Sequence, residues 1–194
     1  MIEYKNVTIE DRVLNCKIDA LNREVLRGAD PTEDLHYLAG LYKGAPVDFI
    51  AMMDDGDFVG YAYMINFFQA SYLSLLAVVP EYQSMGYGSA MLRHLREMKG
   101  EKPIVLHADR PQKERDNYEQ CIRRKWFYVR NGYVDQRIED DESVWYQHDV
   151  YMNGFGIGYI ELMALLDKVN MFMRSSLGCR ELYANNERAA SGVF

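Results

Sequence analysis

Cysteine is scarce in this chain: three in 194 residues, at positions 16, 121 and 179, with no CxxC pair. An odd, widely spaced set argues against a disulfide frame or a thiolate zinc site. Cys16, Cys121 and Cys179 read as free thiols of a reducing compartment. Long unbroken apolar runs are also missing. The most apolar stretch, "FGIGYIELMALLDKVNMFM", carries Glu161, Asp167 and Lys168, and suits a buried helix better than a lipid-facing one, so no membrane segment is expected. The start, "MIEYKNVTIEDRV", lacks the basic head and apolar core of a secretory leader, which makes the cytoplasm the expected location. Positive charge is in deficit, with 22 Lys and Arg against 29 Asp and Glu and a net charge of −7. That balance argues against a nucleic-acid surface. It is compatible with a cationic substrate, although solubility alone also accounts for it. Repeats and low-complexity linkers are absent. A chain of this length suits one domain, or one with an appendage, that buries roughly 70% of its unfolded surface.

Strand and helix signals then alternate. "IEYKNVT" alternates as a strand, and Val13, Ile18, Leu21 and Val25 recur at roughly helical spacing. "DPTEDLHYLAGLYKG" predicts a second helix, capped at Asp30 or Thr32 and stopped at Gly44. Two apolar runs around "DDGD" predict a hairpin, because Asp-Gly supplies the turn dihedrals. "SYLSLLAVV" makes a fourth strand and "SAMLRHLREMKG" a helix; "PIVLHAD" makes a short strand, followed by a helix from about Asp116 to Asn131. Two closing strands flank the acidic turn "EDDES". The predicted fold is mixed α/β (α+β): a mostly antiparallel sheet of about seven strands flanked by helices, with one parallel strand-helix-strand crossover. Residues 1–152 form the predicted domain and 153–194 a C-terminal helical extension and tail. The apolar helix of that extension is expected either to pack on the sheet near a cleft or to pair with a second subunit.

Between the fourth strand and the next helix lies "PEYQSMGYGSAML". Two glycines one position apart mark either a turn that needs positive φ or a backbone that something approaches closely. A P-loop is excluded, since no Gly-Lys-Ser/Thr follows. A dinucleotide fingerprint fails as well: Met91 stands where close helix-sheet packing wants glycine or alanine, and "PEY" intervenes before the turn. A nucleotide-binding redox domain therefore ranks last.

The pattern Gln-x-x-Gly-x-Gly from Gln83 to Gly88, after "LLAVVPEY" and before an amphipathic helix, resembles the pyrophosphate loop of the GNAT superfamily of N-acetyltransferases. The "DDGDFVGYAYM" hairpin, the LAV-x-P strand, the helix, "PIVLHAD" and "FYVRNGY" stand in the family's order from about residue 46 to 151. The resemblance implies acetyl-CoA as cosubstrate, no metal, and transfer to a primary amine of a small molecule or peptide by direct attack in a ternary complex. A non-catalytic acyl-CoA-binding regulatory module is the alternative. Under the resemblance, the amides of Gln83, Ser84, Met85, Gly86, Tyr87, Gly88 and Ser89 cradle the pyrophosphate at the positive end of a helix. Ala77 and Val78 hold the positions where pantetheine pairs with the fourth strand and a main-chain N–H near a bulge faces the thioester oxygen. A donor so placed is worth on the order of 3 kcal/mol.

Tyr128, separated by three residues from Gly132 and Tyr133 in "FYVRNGY", matches the family's helix-ending tyrosine beside the thioester sulfur, which implies a general acid. The pattern also departs from the family: Cys121 and Arg124 stand where relatives often carry asparagine and alanine, with Asn117 one turn further back. His107 and Asp109, ending the fifth strand, are candidates for a base acting through water, and otherwise surface groups. "RRK" at Arg123 to Lys125 reads as a solvated helix face that could alternatively reach a coenzyme phosphate. A homodimer is compatible with the apolar C-terminal helix.

Overall fold

The computed structural model describes residues 1–8, 10–25, 47–138, 148–154 and 156–171. The helix expected over 30–44, the acidic turn "EDDES", Cys179 and the polar tail lie outside the described residues. Seven strands form one sheet: β1 (Ile2–Asn6), β2 (Val47–Asp54), β3 (Asp57–Asn66), β4 (Ser71–Val78), β5 (Ile104–Asp109), β6 (Val134–Asp135) and β7 (His148–Asn153). Their order is β1-β2-β3-β4-β5-β7-β6, antiparallel throughout except for β4 against β5. The β2–β3 turn is the one expected from sequence. Asp54 pairs with Asp57, and Asp55 and Gly56 both take positive φ, at 49° and 91°, as a two-residue hairpin of primed type requires.

Helices α1 (Arg12–Val25), α2 (Tyr87–Lys99) and α3 (Tyr118–Arg130) and a fourth, α4 (residues 159–171), cover the sheet. Side chains alternate along the strands and so divide the core in two. Leu14, Ile18 and Leu21 of α1 and Leu162, Leu165, Leu166 and Val169 of α4 pack with Tyr61, Tyr63, Val105 and Val150. Met91, Leu92 and Leu95 of α2 and Tyr128 of α3 pack on the other face with Met64, Ile104, Leu106 and Tyr151. The apolar stripe of α1 differs from the expected one. Leu14, Ile18 and Leu21 are spaced i, i+4, i+7 and face the core, whereas Val13 is 71% exposed and Val25 is also exposed. A valine five residues before Ile18 lies off the stripe that a 3.6-residue period can bury.

α3 is fixed at both ends of its inner face. Its C-terminus closes in a Schellman motif: Tyr133 N–H donates to Tyr128 O, Gly132 N–H donates to Val129 O, and Gly132 takes φ 81°. Further up the helix, the Lys125 ammonium donates to Asp149 Oδ2 at 3.2 Å and to Asp135 Oδ2 at 3.3 Å. Asp149 is buried on β7 and also accepts from Arg110 Nε at 3.0 Å and from the Tyr151 hydroxyl at 3.2 Å. Lys125 is therefore a tie between α3 and the β6–β7 edge, and neither of the roles read for it in "RRK". Replacing Asp149 by alanine strands two cations beside a buried position and should cost about 3 kcal/mol of stability, measurable as a lower midpoint in denaturant unfolding with an unchanged m-value.

Candidate active site

Strands β4 and β5 pair at two positions, Ser71 with Ile104 and Tyr72 with Val105, and then part. On their outer sides both strands stay paired, β4 with β3 up to Val78 and β5 with β7 up to Asp109. A central strand buried on both faces would normally be closed to solvent; Ser74, Leu75 and Leu76 are instead partly exposed along the gap. The β3–β4 register shifts between Tyr63, which faces Leu75, and Met64, which faces Leu73, so Ser74 is the extra residue of a bulge. The bulge thus lies three residues before Ala77, deeper in the gap than the expected pair. Ala77 and Val78 sit at its mouth, where Gly60 lets β3 close on them. A Cβ at Gly60 would lie 2.5 Å from the Ala77 carbonyl oxygen.

The loop from Gln83 to Ser89 hangs from this mouth. Gln83 folds back, its side-chain Nε2 donating to Val78 O at 3.1 Å and its own amide donating to Pro80 O at 3.1 Å. Among the described residues, no backbone carbonyl accepts from the amides of Ser84, Met85, Gly86, Tyr87, Gly88 or Ser89. Those of Gly86 to Ser89 are the orphan donors of a helix start, at the positive end of the α2 dipole. Ser84 and Gly86 both take positive φ, 64° and 93°, and Gly86 is the N-cap of α2. A Cβ at Gly86 would meet nothing within 4 Å, whereas one at Gly88 would meet the Phe127 ring at 3.1 Å. The two glycines therefore do different work: Gly86 bends the backbone and leaves its approach clear, and Gly88 lets α3 pack against α2. Tyr87 pins the loop to the hairpin, its hydroxyl donating to Asp54 Oδ2 at 2.6 Å. That bond holds the Tyr87 pKa above its ordinary value and the Asp54 pKa below its own. Met85 projects from the loop, 65% exposed.

Tyr128 lies next to Phe127 and is 9% exposed. Its ring packs against Tyr133 and Tyr151, with centroids 6.0 and 5.5 Å away. Burial raises its pKa, partly offset by Arg124, so the phenol keeps its proton at neutral pH.

Residues 46–135 match the family Acetyltransferase (GNAT) domain. Over these residues the chain carries a GNAT acetyltransferase domain. None of the curated proteins matches the sequence. Among solved structures, a GNAT-family protein from Bacteroides thetaiotaomicron is 20% identical with a TM-score of 0.70, over 88% of this chain and 97% of that one. The PaiA N-acetyltransferase of Thermoplasma acidophilum, solved with coenzyme A, is 16% identical with a TM-score of 0.57, over 80% and 99%. The aminoglycoside 6'-N-acetyltransferase of Enterococcus faecium is 15% identical with a TM-score of 0.59, over 77% and 94%. At these identities the structural likeness is one of fold.

Within this GNAT fold, the sheet face opposite Tyr128 carries a second polar group that sequence reading placed only in part. His107 and Asp109 follow the parting on β5. The Tyr72 hydroxyl and His107 Nδ1 are hydrogen-bonded, and the His107 ring meets that of His148 edge-on at 4.7 Å. Asp109 Oδ1 lies 3.4 Å from His148 Nδ1, and its other oxygen is 4.0 Å from Arg124. His107 is deeply set yet keeps some contact with solvent. Burial and the neighbouring His148 lower its pKa to about 4, so the imidazole is neutral at neutral pH. Nothing in the sequence marked Tyr72 or His148. Arg124 reaches Asp109, Cys121 is buried in α3, and Asn117 is the α3 N-cap without a side-chain capping bond.

Three outcomes follow from this geometry. Valine at Gly86 is strained at φ 93° and blocks the amides, so acetyl-CoA affinity by calorimetry should drop at least tenfold; alanine at Gly88 should instead lower the melting temperature through Phe127. For His107, the unfolded chain takes up a proton near pH 6.5 that the folded protein refuses until about pH 4. Stability should therefore decline as pH falls through that window, and His107→Gln should flatten the decline in urea unfolding at successive pH values.

Proposed function

We propose that this protein is an acetyl-CoA-dependent N-acetyltransferase acting on a primary amine of a small molecule or peptide by direct attack in a ternary complex. The observation that carries the reading is the parting of β4 and β5 beside a helix start whose amides, from Gly86 to Ser89, have no backbone carbonyl partner among the described residues. A thioester-bearing chain fits such a gap, because the unpaired edge of β4 offers it a strand's hydrogen bonds while the α2 amides take its phosphates. Coenzyme A in complex with the Thermoplasma relative supports the same kind of cosubstrate here. The bound thioester supplies the activated acetyl group.

The chain's own residues divide the remaining work. The loop from Ser84 to Ser89 binds phosphate, and Ala77 and Val78 flank the entry of the gap. In this reading the amides around the Ser74 bulge face the thioester oxygen as charge develops on it. Tyr128 holds a proton for the departing sulfur: the amine nitrogen forms its bond to the carbonyl carbon, the carbon–sulfur bond breaks, and the phenol O–H proton passes to the thiolate. A net charge of −7 is compatible with a cationic acceptor.

Release of thiol from acetyl-CoA across a panel of polyamines, aminoglycosides, amino acids and peptide N-termini tests the reading directly. No release with any of them, despite acetyl-CoA binding, would favour the regulatory module instead. Tyr128→Phe keeps the ring and removes only the proton. Acetyl-CoA affinity should stay the same while turnover falls by roughly 10²-fold; lower stability with full turnover would mark Tyr128 as a packing residue.

A further inference from the structure

Tyr72 and His107 stand at the closed end of the gap. Tyr72 and Val105 form the last paired step between β4 and β5, Ser74 of the bulge is two residues further along β4, and His107 is two residues further along β5. The sheet pleat sends Tyr72, Val105 and His107 to the face covered by α1 and α4, away from Tyr128. A proton lost on this side of the gap is therefore lost on the side opposite the phenol. The tyrosine and histidine rings lie nearly parallel, 12° apart, with the hydroxyl and Nδ1 hydrogen-bonded. We propose that Tyr72 and His107 act together as the proton acceptor for the attacking amine. This inference rests on the acyl-transfer reading above and adds to it the group that makes the amine a nucleophile.

An ammonium group cannot attack until it has lost a proton, and the proton needs a receiver within reach. The neutral pair, phenol plus imidazole, takes up one proton and becomes phenol plus imidazolium. The amine N–H bond breaks, and the freed electron pair forms the bond to the acyl carbon. The proton passes either to the Tyr72 oxygen as its own proton moves to His107 Nδ1, or to the imidazole directly. Among the described residues, Tyr72 from β4, His148 from β7, Asp109 from its own strand and Arg124 from α3 set its readiness. His148 and Arg124 oppose the imidazolium, and Asp109 favours it. Asp109, with its side chain 43% exposed beside His148, gives the proton an exit to water. Burial keeps the imidazole neutral but also weakens it as an acceptor, so the Tyr72 bond and the Asp109 carboxylate must support the imidazolium as it forms.

Tyr72→Phe and His107→Gln, each checked by melting temperature, would be assayed with acetyl-CoA and an amine that the wild type acetylates. Both should lower kcat by about 10²-fold with the KM for acetyl-CoA unchanged. The wild-type kcat should stay level from about pH 8 to about pH 6, where a histidine of ordinary pKa would already be protonated. In the variants kcat should climb with pH over the same range, as solvent takes over the proton. If Tyr72→Phe does not fold, His107→Gln decides. Full kcat with a wild-type pH profile in the folded variants overturns the proposal, as does a loss of kcat that keeps the wild-type profile. Failure of the wild type to release thiol with any amine ends the acyl-transfer reading itself, and this inference with it.

Discussion

The two-residue contact between β4 and β5 is the constraint on which the rest of the structure turns. Interrupting a ladder in the middle of a sheet leaves backbone donors and acceptors without strand partners and lets water reach apolar side chains, both of which cost free energy. The fold offsets this on the outer sides of the two strands. β4 pairs with β3 along its length and β5 pairs with β7 through all six of its residues, so each half-sheet is complete by itself. The halves are joined by the short parallel contact, by the crossover through α2, and by the two apolar cores above and below. The Ser74 bulge adds local twist to β4 next to the last paired step, turning the strand away from β5.

Such a gap becomes a site only if its mouth and walls are held in place, and several polar ties do so from a distance. Tyr87 binds the loop helix to the β2–β3 hairpin through Asp54. Asp149, with Lys125 and Arg110, ties α3 to the far edge of the sheet. Gly88 allows Phe127 to seat against α2, and the next residue of α3, Tyr128, packs between Tyr133 and Tyr151. Side chains outside the loop thus set the position of the phenol, while Gln83 and Tyr87 fix the loop at its two ends.

Much of this arrangement was legible where it depends on a few neighbouring residues. Asp55 and Gly56 announced their turn, Gly132 announced the end of α3, and Gln83 to Gly88 announced a helix start stripped of side chains, because dihedral demands of that kind are written locally. What depends on residues far apart in the chain was not legible. The parting of β4 from β5 leaves no trace in "SYLSLLAVV", which reads as an ordinary buried strand. Lys125 looked solvated because Asp135 and Asp149, ten and twenty-four residues away, meet it only after β6 and β7 form. Gly88 looked like a phosphate position, and its contact with Phe127 could not be read from a glycine thirty-nine residues earlier. The bulge at Ser74 depends on β3 as much as on β4, so Ala77 and Val78 were placed by pattern and the structure sets the bulge deeper.

The two faces of the gap finally differ in what burial does to a titratable group. Desolvation penalises whichever form is charged, so the same physical cause drives a phenol upward and an imidazole downward. Tyr128 on one face keeps its proton, and His107 on the other keeps its lone pair, both neutral at the same pH. Transfer of an acyl group from a thiol to an amine needs this asymmetry, since sulfur must gain a proton on leaving and nitrogen must lose one on bonding. Two exposed residues of the same types would sit near their ordinary values, with the histidine partly protonated at neutral pH. Under the proposed reading, a proton donor and a proton acceptor then stand on opposite faces of one sheet, each kept neutral by burial. The opening that costs the sheet its central ladder is therefore also what gives its two walls opposite chemistry.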